Sequence, residues 1–491
     1  MRTFKAGWGL LQLALASVLF LVIMELTAAT IPMVGIALPQ SLVAEPFVML
    51  INLEKKIWDF LETMSAVPLL VSSFSWLLFL PNLLSGDWRI RNREPFKSTK
   101  PLGRGLTYAG ALLLASLGLA VFFAHFPYIS SNELKGVDTD FYYAKLSQIN
   151  DFAELSALIV TEARAPYLFI LWGVRALSGL SDLQVVQIGP SVPAVLLALS
   201  TFLLVREISS DIRAAAIASY LSVTSATTTV GMFAGIYANW LAMSSVSIFL
   251  YFLIRILREG RKRQIVLGAL AGYATLVIHA WTWGIAVGSL AVLVMLAFVR
   301  WRMKGSDSKG DLARLGLLLL SITVPVLVIL VFFASFGKTG AIEGVLSGLT
   351  EVVPYLSPIN IRFFWSNLSF TLDRFVGGFL RQPVLYVLAF IGFYTIRHRS
   401  EGSVPVLVSW FAVTSIVTIL MDSWFQWRLI YTMPFPILAS LGLCFLVKRI
   451  DMMKFGCHWK SQALLVGLQL FVYLSLFNYA IRSLSLLPPS S

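Results

Sequence analysis

The chain has 491 residues, 58% of them hydrophobic and only 13% charged, with a formal net charge of +13 and a mean hydropathy of +0.81. That composition excludes a soluble domain, which would leave large apolar patches in water. The expected fold class is all-α, a polytopic transmembrane helical bundle, because a helix satisfies its backbone hydrogen bonds within one segment of a bilayer.

A span needs roughly 20 predominantly apolar residues, and about 13 such windows recur along the chain. The first three are expected near residues 10–30, 67–84 and 106–126. Arg2 and Lys5 before the first also fit a secretory signal, with Ala28 and Ala29 as a weak cleavage site. Its apolar run exceeds a usual signal core, so an uncleaved anchor is expected. Glu25 lies inside this span, and an amphipathic stretch, 51–64, precedes the second. A loop carrying Arg89, Arg91, Arg93, Lys97, Lys100 and Arg104 leads to the third. Residues 1–105 therefore read as an accessory hairpin with a basic cytoplasmic loop, and residues 106–491 as the core.

A polar segment, 127–183, follows the third span. Within it, residues 141–158 have the pattern of an interfacial amphipathic helix, with Phe141, Leu146, Ile149, Phe152 and Leu155 towards one side. Residues 167–180 are short for a span and contain Arg175, so they are expected to lie along the interface. Six further spans are expected near 185–205, 214–230, 238–257, 265–280, 283–299 and 315–336. A second polar segment, 337–383, carries Glu343, Glu351, Tyr355, Asn360, Arg362, Trp365 and Arg374, a mix suited to a lid, and an Asn367-Leu368-Ser369 glycosylation tripeptide. The last spans are expected near 384–396, 404–421, 429–447 and 463–481.

Lysine and arginine next to spans mark the cytoplasmic side. If the spans alternate, the clusters at Arg206 and Arg213, at Arg255 to Arg263, at Arg300 to Lys304, at Arg397 and Arg399, and at Lys448 to Lys460 share one side with the N-terminus. The two polar segments then lie outside, in a cell membrane or its equivalent. The same distribution accounts for the net charge through topology, so no nucleic-acid partner is expected, and anionic membrane lipids are the natural inner partner. Cys444, within a span, and Cys457, on the inner side, are not placed for an external disulfide.

Asp138-Thr139-Asp140-Phe141-Tyr142-Tyr143-Ala144-Lys145 stands at the start of the first outer segment. Glycosyl transfer to a hydroxyl or amide needs a base for the acceptor's proton, and a carboxylate in a partly dehydrated pocket suits that role. Asp138 and Asp140 are therefore the catalytic candidates, one as base and one as orienter. The other use of such a pair is a divalent magnesium or manganese site, and a solvated loop is the bland reading. Other outer groups would serve a donor phosphate or sugar: Lys145, Tyr142, Tyr143, Tyr237, Asn239, His279, Trp281, Gln426 and Arg428. Arg428 enters an apolar run and needs a partner, for which a phosphate or Asp422 would serve. His279 and Trp281 stand at an outer hairpin tip where interfacial tryptophans are also common.

The acidic-aromatic run, with Ala165-Pro166-Tyr167-Leu168 and Gln187-Ile188-Gly189-Pro190-Ser191 continuing to Arg206, resembles the first-loop and second-span pattern of the GT-C superfamily of integral-membrane glycosyltransferases. The resemblance spans roughly residues 106–447 and its motifs are degenerate. It implies a lipid-linked polyprenyl (dolichyl) phosphate sugar donor, a glycan, lipid or protein acceptor, an external site, and inverting transfer with an aspartate base. It is mannosyltransferase-like and distant from the oligosaccharyltransferase catalytic subunit, because no Trp-Trp-Asp signature occurs and few residues follow the last expected span. A secondary transporter and a noncatalytic scaffold of glycan assembly are the alternatives. A transporter would place its polar groups near the bilayer midplane and show repeated halves, and neither pattern is visible.

Overall fold

The computed structural model describes residues 20, 23, 52–53, 56–57, 60, 65–81, 102–129, 133–161, 164–335, 368, 382–396, 403–420, 423–452 and 458–489. The expectations for Glu25, for the loop before the third span, for Glu343, Glu351, Tyr355, Asn360, Arg362, Trp365, Asn367 and Arg374, and for Asp422 fall outside these residues.

In chain order the helices are α1 (Ser65–Leu78), α2 (Leu102–His125), α3 (Thr139–Ser147), α4 (Phe152–Thr161), α5 (Ala165–Ser178), α6 (Asp182–Ile188), α7 (Ser191–Ser209), α8 (Ile212–Thr224) and α9 (Ala226–Ala234). They continue as α10 (Tyr237–Glu259), α11 (Lys262–Ile278), α12 (Ala280–Lys304), α13 (Lys309–Ser335), α14 (Pro383–Ile396), α15 (Ser403–Leu420), α16 (Ser423–Thr432), α17 (Phe435–Met452) and α18 (His458–Ser485). Six segments are long and apolar enough to cross a membrane: Thr107–Tyr128, Asp182–Ser209, Tyr237–Glu259, Ala280–Lys304, Lys309–Val328 and Gln462–Ser485. Gln426–Thr432 and Phe435–Met452 together make a seventh, bent by 46°. Pro434, which lacks the N–H that would continue the helix, sits at that bend. Other expected spans fall on the shorter apolar helices Ser65–Leu78, Pro383–Ile396 and Ser403–Ile416.

Two expected continuous helices are broken, each for a local reason. The span expected at 214–230 divides at Ser225, which is extended and caps α9 by accepting from Thr227 N. Gln382 bridges the break, accepting from Ala226 N at 3.0 Å and donating to Thr224 O at 3.4 Å. The interfacial helix expected at 141–158 ends at Ser147, and α4 restarts beyond Asp151. Asp151 Oδ1 accepts from Glu154 N at 2.9 Å while Glu154 Oε2 accepts from Asn150 N at 2.6 Å, a reciprocal cap that outcompetes continuation of the helix. The break leaves Leu146, Ile149 and Leu155 buried but turns Phe152 outwards, 59% exposed.

Lipid tails are as apolar as leucine, so helices associate in a membrane by close packing rather than by escape from water. α14 and α17 show this most clearly. A Cβ on Gly392 would fall on Leu438 O, and one on Gly442 on Leu388 O. α10 packs between α7 and α11, and α8 between α2, α7 and α17. With 23 residues in α10, the two ends of the bundle are about 34 Å apart at 1.5 Å per residue. One end carries Arg258–Glu207 (2.7 Å), Lys448–Asp211 (3.0 Å) and Arg314–Asp311 (3.3 Å). The other carries the acidic segment.

Candidate functional site

The acidic segment is fastened to the α9–α10 junction by its backbone. Val137 N donates to Phe233 O at 2.9 Å and Asp138 N to Ala234 O at 3.1 Å. This approach needs glycine. Gly235 has φ +63°, and a Cβ there would lie 2.9 Å from both Asp138 N and Thr139 N. Gly136, at φ +100°, faces Met232 O in the same way. From the far terminus of the chain, Pro488 O accepts from Gly136 N at 3.3 Å.

Side chains complete the attachment. Thr139 Oγ1 donates to Lys135 O at 2.7 Å and lies 3.2 Å from the Tyr237 hydroxyl, which lies 3.3 Å from that of Tyr128. Tyr142 Oη accepts from Ala238 N at 3.2 Å, capping the start of α10. The Tyr142 ring stacks on Tyr237 with centroids 5.5 Å apart and meets Tyr167 edge-on at 5.0 Å. Burial pushes the Tyr142 phenol up, against the pull of the Arg164 charge. Gly189 admits this packing, since a Cβ there would lie 2.8 Å from the Tyr167 hydroxyl.

Asp138 is the ion-paired member of the acidic cluster. Its Oδ2 pairs with Arg164 Nη2 at 3.0 Å. Arg164 in turn lies over the Phe141 ring, 4.8 Å from its centroid, and 5.8 Å from that of Tyr142. Lys145 Nζ stands 5.9 Å from the same Phe141 centroid. Arg428, half-buried on α16, lies over Trp427 at 5.2 Å.

His279 joins the α11–α12 turn to this group. It is the N-cap of α12, with Nδ1 accepting from Thr282 N and lying 2.8 Å from Thr282 Oγ1. Asn239 Nδ2 donates to Thr282 Oγ1 at 2.9 Å and lies 3.3 Å from Nδ1. Nδ1 is thus the acceptor, and the proton of the neutral ring belongs on Nε2. Burial, followed by the charges of Arg164 and Arg428, lowers the His279 pKa to about 3. The imidazole is therefore neutral at ordinary pH. The charges of Arg164 and Arg428 thus both act on His279. Two polar atoms in this group, Tyr167 Oη and Asn239 Oδ1, are buried without a hydrogen-bond partner.

The site thus gathers Asp138, Tyr142, Lys145, Asn239, His279 and Arg428 from the expected residues. Tyr237 is fully buried, and its hydroxyl lies against Thr139 and Tyr128. Tyr143, 40% exposed, joins none of these contacts. Asp140 is half-buried in the first turn of α3 and makes no ion pair among the described residues. Gln426 is fully buried and Trp281 packs half-buried against the core. Among the described residues no three His, Cys, Asp or Glu side chains gather as metal ligands, and Asp138 Oδ2 already pairs with the Arg164 guanidinium.

Arg164, Thr282 and Gly235 are the site residues that sequence reasoning did not select. Arg164 appears in the sequence as one charge in a polar loop. Its signal is its place immediately before Ala165-Pro166, where it is the N-cap residue of α5.

No protein-family model and no curated protein matches the chain. Among solved structures, the chain is similar to ArnT from Cupriavidus metallidurans bound to undecaprenyl phosphate, at 14% identity and a TM-score of 0.49, over 77% of this chain and 76% of that one. The apo state of the same protein matches at 13% identity and a TM-score of 0.47, over 77% of each chain.

Proposed function

We propose that the chain is a membrane glycosyltransferase of the GT-C type, using a polyprenyl-phosphate sugar and working at the outer face, opposite the basic loops. The observation that carries this reading is the placement of Asp138 beside Arg164, in a half-buried cluster that also draws in His279 and Arg428. A carboxylate and several cationic or N–H donors side by side are what transfer from a lipid phosphate requires. One group takes a proton and the others receive the negative charge left on the leaving phosphate.

In this reading the acceptor oxygen or nitrogen attacks the anomeric carbon and loses its proton to Asp138. The bond from that carbon to the phosphate oxygen breaks, the polyprenyl phosphate leaves with the electron pair, and the configuration inverts. Arg428 and Lys145 meet the phosphate, and His279 contributes its Nε2–H as a neutral donor. Asp140 shapes the approach as the orienting carboxylate. A divalent metal fits poorly, because Arg164 already neutralises Asp138 and no third ligand stands nearby among the described residues. The polar groups cluster at helix ends, which favours this reading over a transport site at midplane.

The test uses the purified protein in nanodiscs with a panel of radiolabelled polyprenyl-phosphate sugars. Release of the lipid phosphate with transfer or hydrolysis of sugar, lost in Asp138→Asn, is expected. Turnover retained by Asp138→Asn, or none by the wild type across the panel while the same protein reconstituted in proteoliposomes moves a solute across their membrane, overturns the reading.

A further inference from the structure

The carboxylate placed to accept the proton is not idle: Arg164 holds it at 3.0 Å. A carboxylate oxygen bound by a guanidinium is already occupied, and that contact must be given up before the oxygen can meet an acceptor's hydrogen. The same guanidinium matches a phosphate as well as a carboxylate, because its planar fork bonds both in the same two-point geometry. Arg164 is also within reach of an incoming anion. Its side chain is 29% exposed, and it lies over the rings of Phe141 and Tyr142, which stabilise a cation. Lys145 shares the Phe141 ring, so a phosphate arriving there would meet two cations on one aromatic platform.

We propose that Arg164 is a positioning residue that exchanges partners: the donor's phosphate draws the guanidinium from Asp138 and thereby frees the base only when a donor is in place. This rests on the donor class assigned above. The exchange conserves charge pairing, one anion replacing another on the same cation, so it adds no unpaired charge to the site except on the carboxylate that is to react. An empty site then has its base occupied and cannot activate water.

The experiment measures binding of a polyprenyl phosphate, without sugar, to the full-length protein in nanodiscs. Asp138→Asn removes the competitor for Arg164 and is expected to bind about tenfold more tightly than wild type, the size of one charge-assisted contact. Arg164→Gln is expected to bind more weakly, and Arg164→Lys, which keeps the charge without the fork, between the two. In the Arg164→Gln background Asp138→Asn should give little further gain, because the coupling of the two changes isolates their contact. Asp140→Asn controls for removal of a nearby negative charge. Unchanged or weaker binding by Asp138→Asn overturns the exchange and leaves the glycosyltransferase reading standing. A gain that persists without Arg164, or that Asp140→Asn matches, also overturns it, reducing the effect to general electrostatics. Failure of the wild type to bind the lipid phosphate removes the donor class itself, and the exchange with it.

Discussion

The two ends of the bundle use the same kinds of residue for different ends. At the basic end, arginines and lysines pair with carboxylates, Arg258 with Glu207 and Lys448 with Asp211. At the acidic end the Arg164–Asp138 pair is no more buried, its side chains 29% and 30% exposed against 15% and 21% for Arg258 and Glu207, but it lies over aromatic faces and near a histidine held neutral. The lesson is that neither charge nor burial alone sets one end apart; the company of aromatic rings and a neutral imidazole does.

The largest effect expected from breaking this contrast is at Asp138. Asp138→Asn keeps the size of the side chain and should lower transfer by roughly 10²- to 10⁴-fold, the usual worth of a general base, with the protein still monodisperse in detergent. Gly235→Ala comes next. Its Cβ would press on Asp138 N from a backbone at φ +63°, and a displacement of the acidic segment approaching an ångström should reduce kcat by about a hundredfold. Near-normal kcat in Gly235→Ala would mean that the attachment to the α9–α10 junction does not set the geometry.

Thr282→Val is isosteric but strips Asn239 and His279 of a shared partner. Leaving buried polar groups unsatisfied costs about 1–3 kcal/mol, so about a tenfold loss in kcat/KM is expected, together with a lower melting temperature.

A smaller effect sharpens the role of His279. Its pKa is lowered to about 3, so the folded protein holds it neutral while the unfolded chain protonates it below roughly pH 6.5. The unfolded state therefore binds more protons as pH falls from 6.5 towards 3, and stability is full above that window and lost within it. Between pH 5 and 8 the residue does not titrate in the folded protein, and His279→Gln should leave the acid limb of the rate profile where it is in wild type. A shifted limb would make His279 a titrating acid or base.

The smallest effect is expected at the opposite end, where Lys448→Ala should cost between 0 and about 1 kcal/mol, as exposed ion pairs do, and leave transfer unchanged.

Particular residues show what was legible beforehand. The apolar windows that fall among the described residues landed on helices because hydropathy is a local property. The breaks at Ser225 and Asp151 were not anticipated, since each depends on a side chain capping the backbone against the general preference for continuing the helix. The acidic pair drew attention through residue type and spacing, but its two members were indistinguishable until Arg164 was seen against Asp138. Tyr237 is expected at the outer start of a span, within reach of sugar hydroxyls, and the sequence gives no sign that its hydroxyl lies 3.2 Å from that of Thr139, 98 positions away.

By itself, then, the sequence determined that the chain is helical and lives in a bilayer, that its charges divide between loops, and that chemistry was to be sought near residue 138. These follow from composition and short-range pattern, which a single chain carries in full. Only the tertiary structure paired Arg164 with Asp138, brought Thr282 to Asn239 and His279, held His279 neutral, and showed why Gly136 and Gly235 must lack side chains. Each of those depends on which residues distant in sequence lie within a few ångströms, and on how much water remains between them. Hydropathy and spacing encode neither.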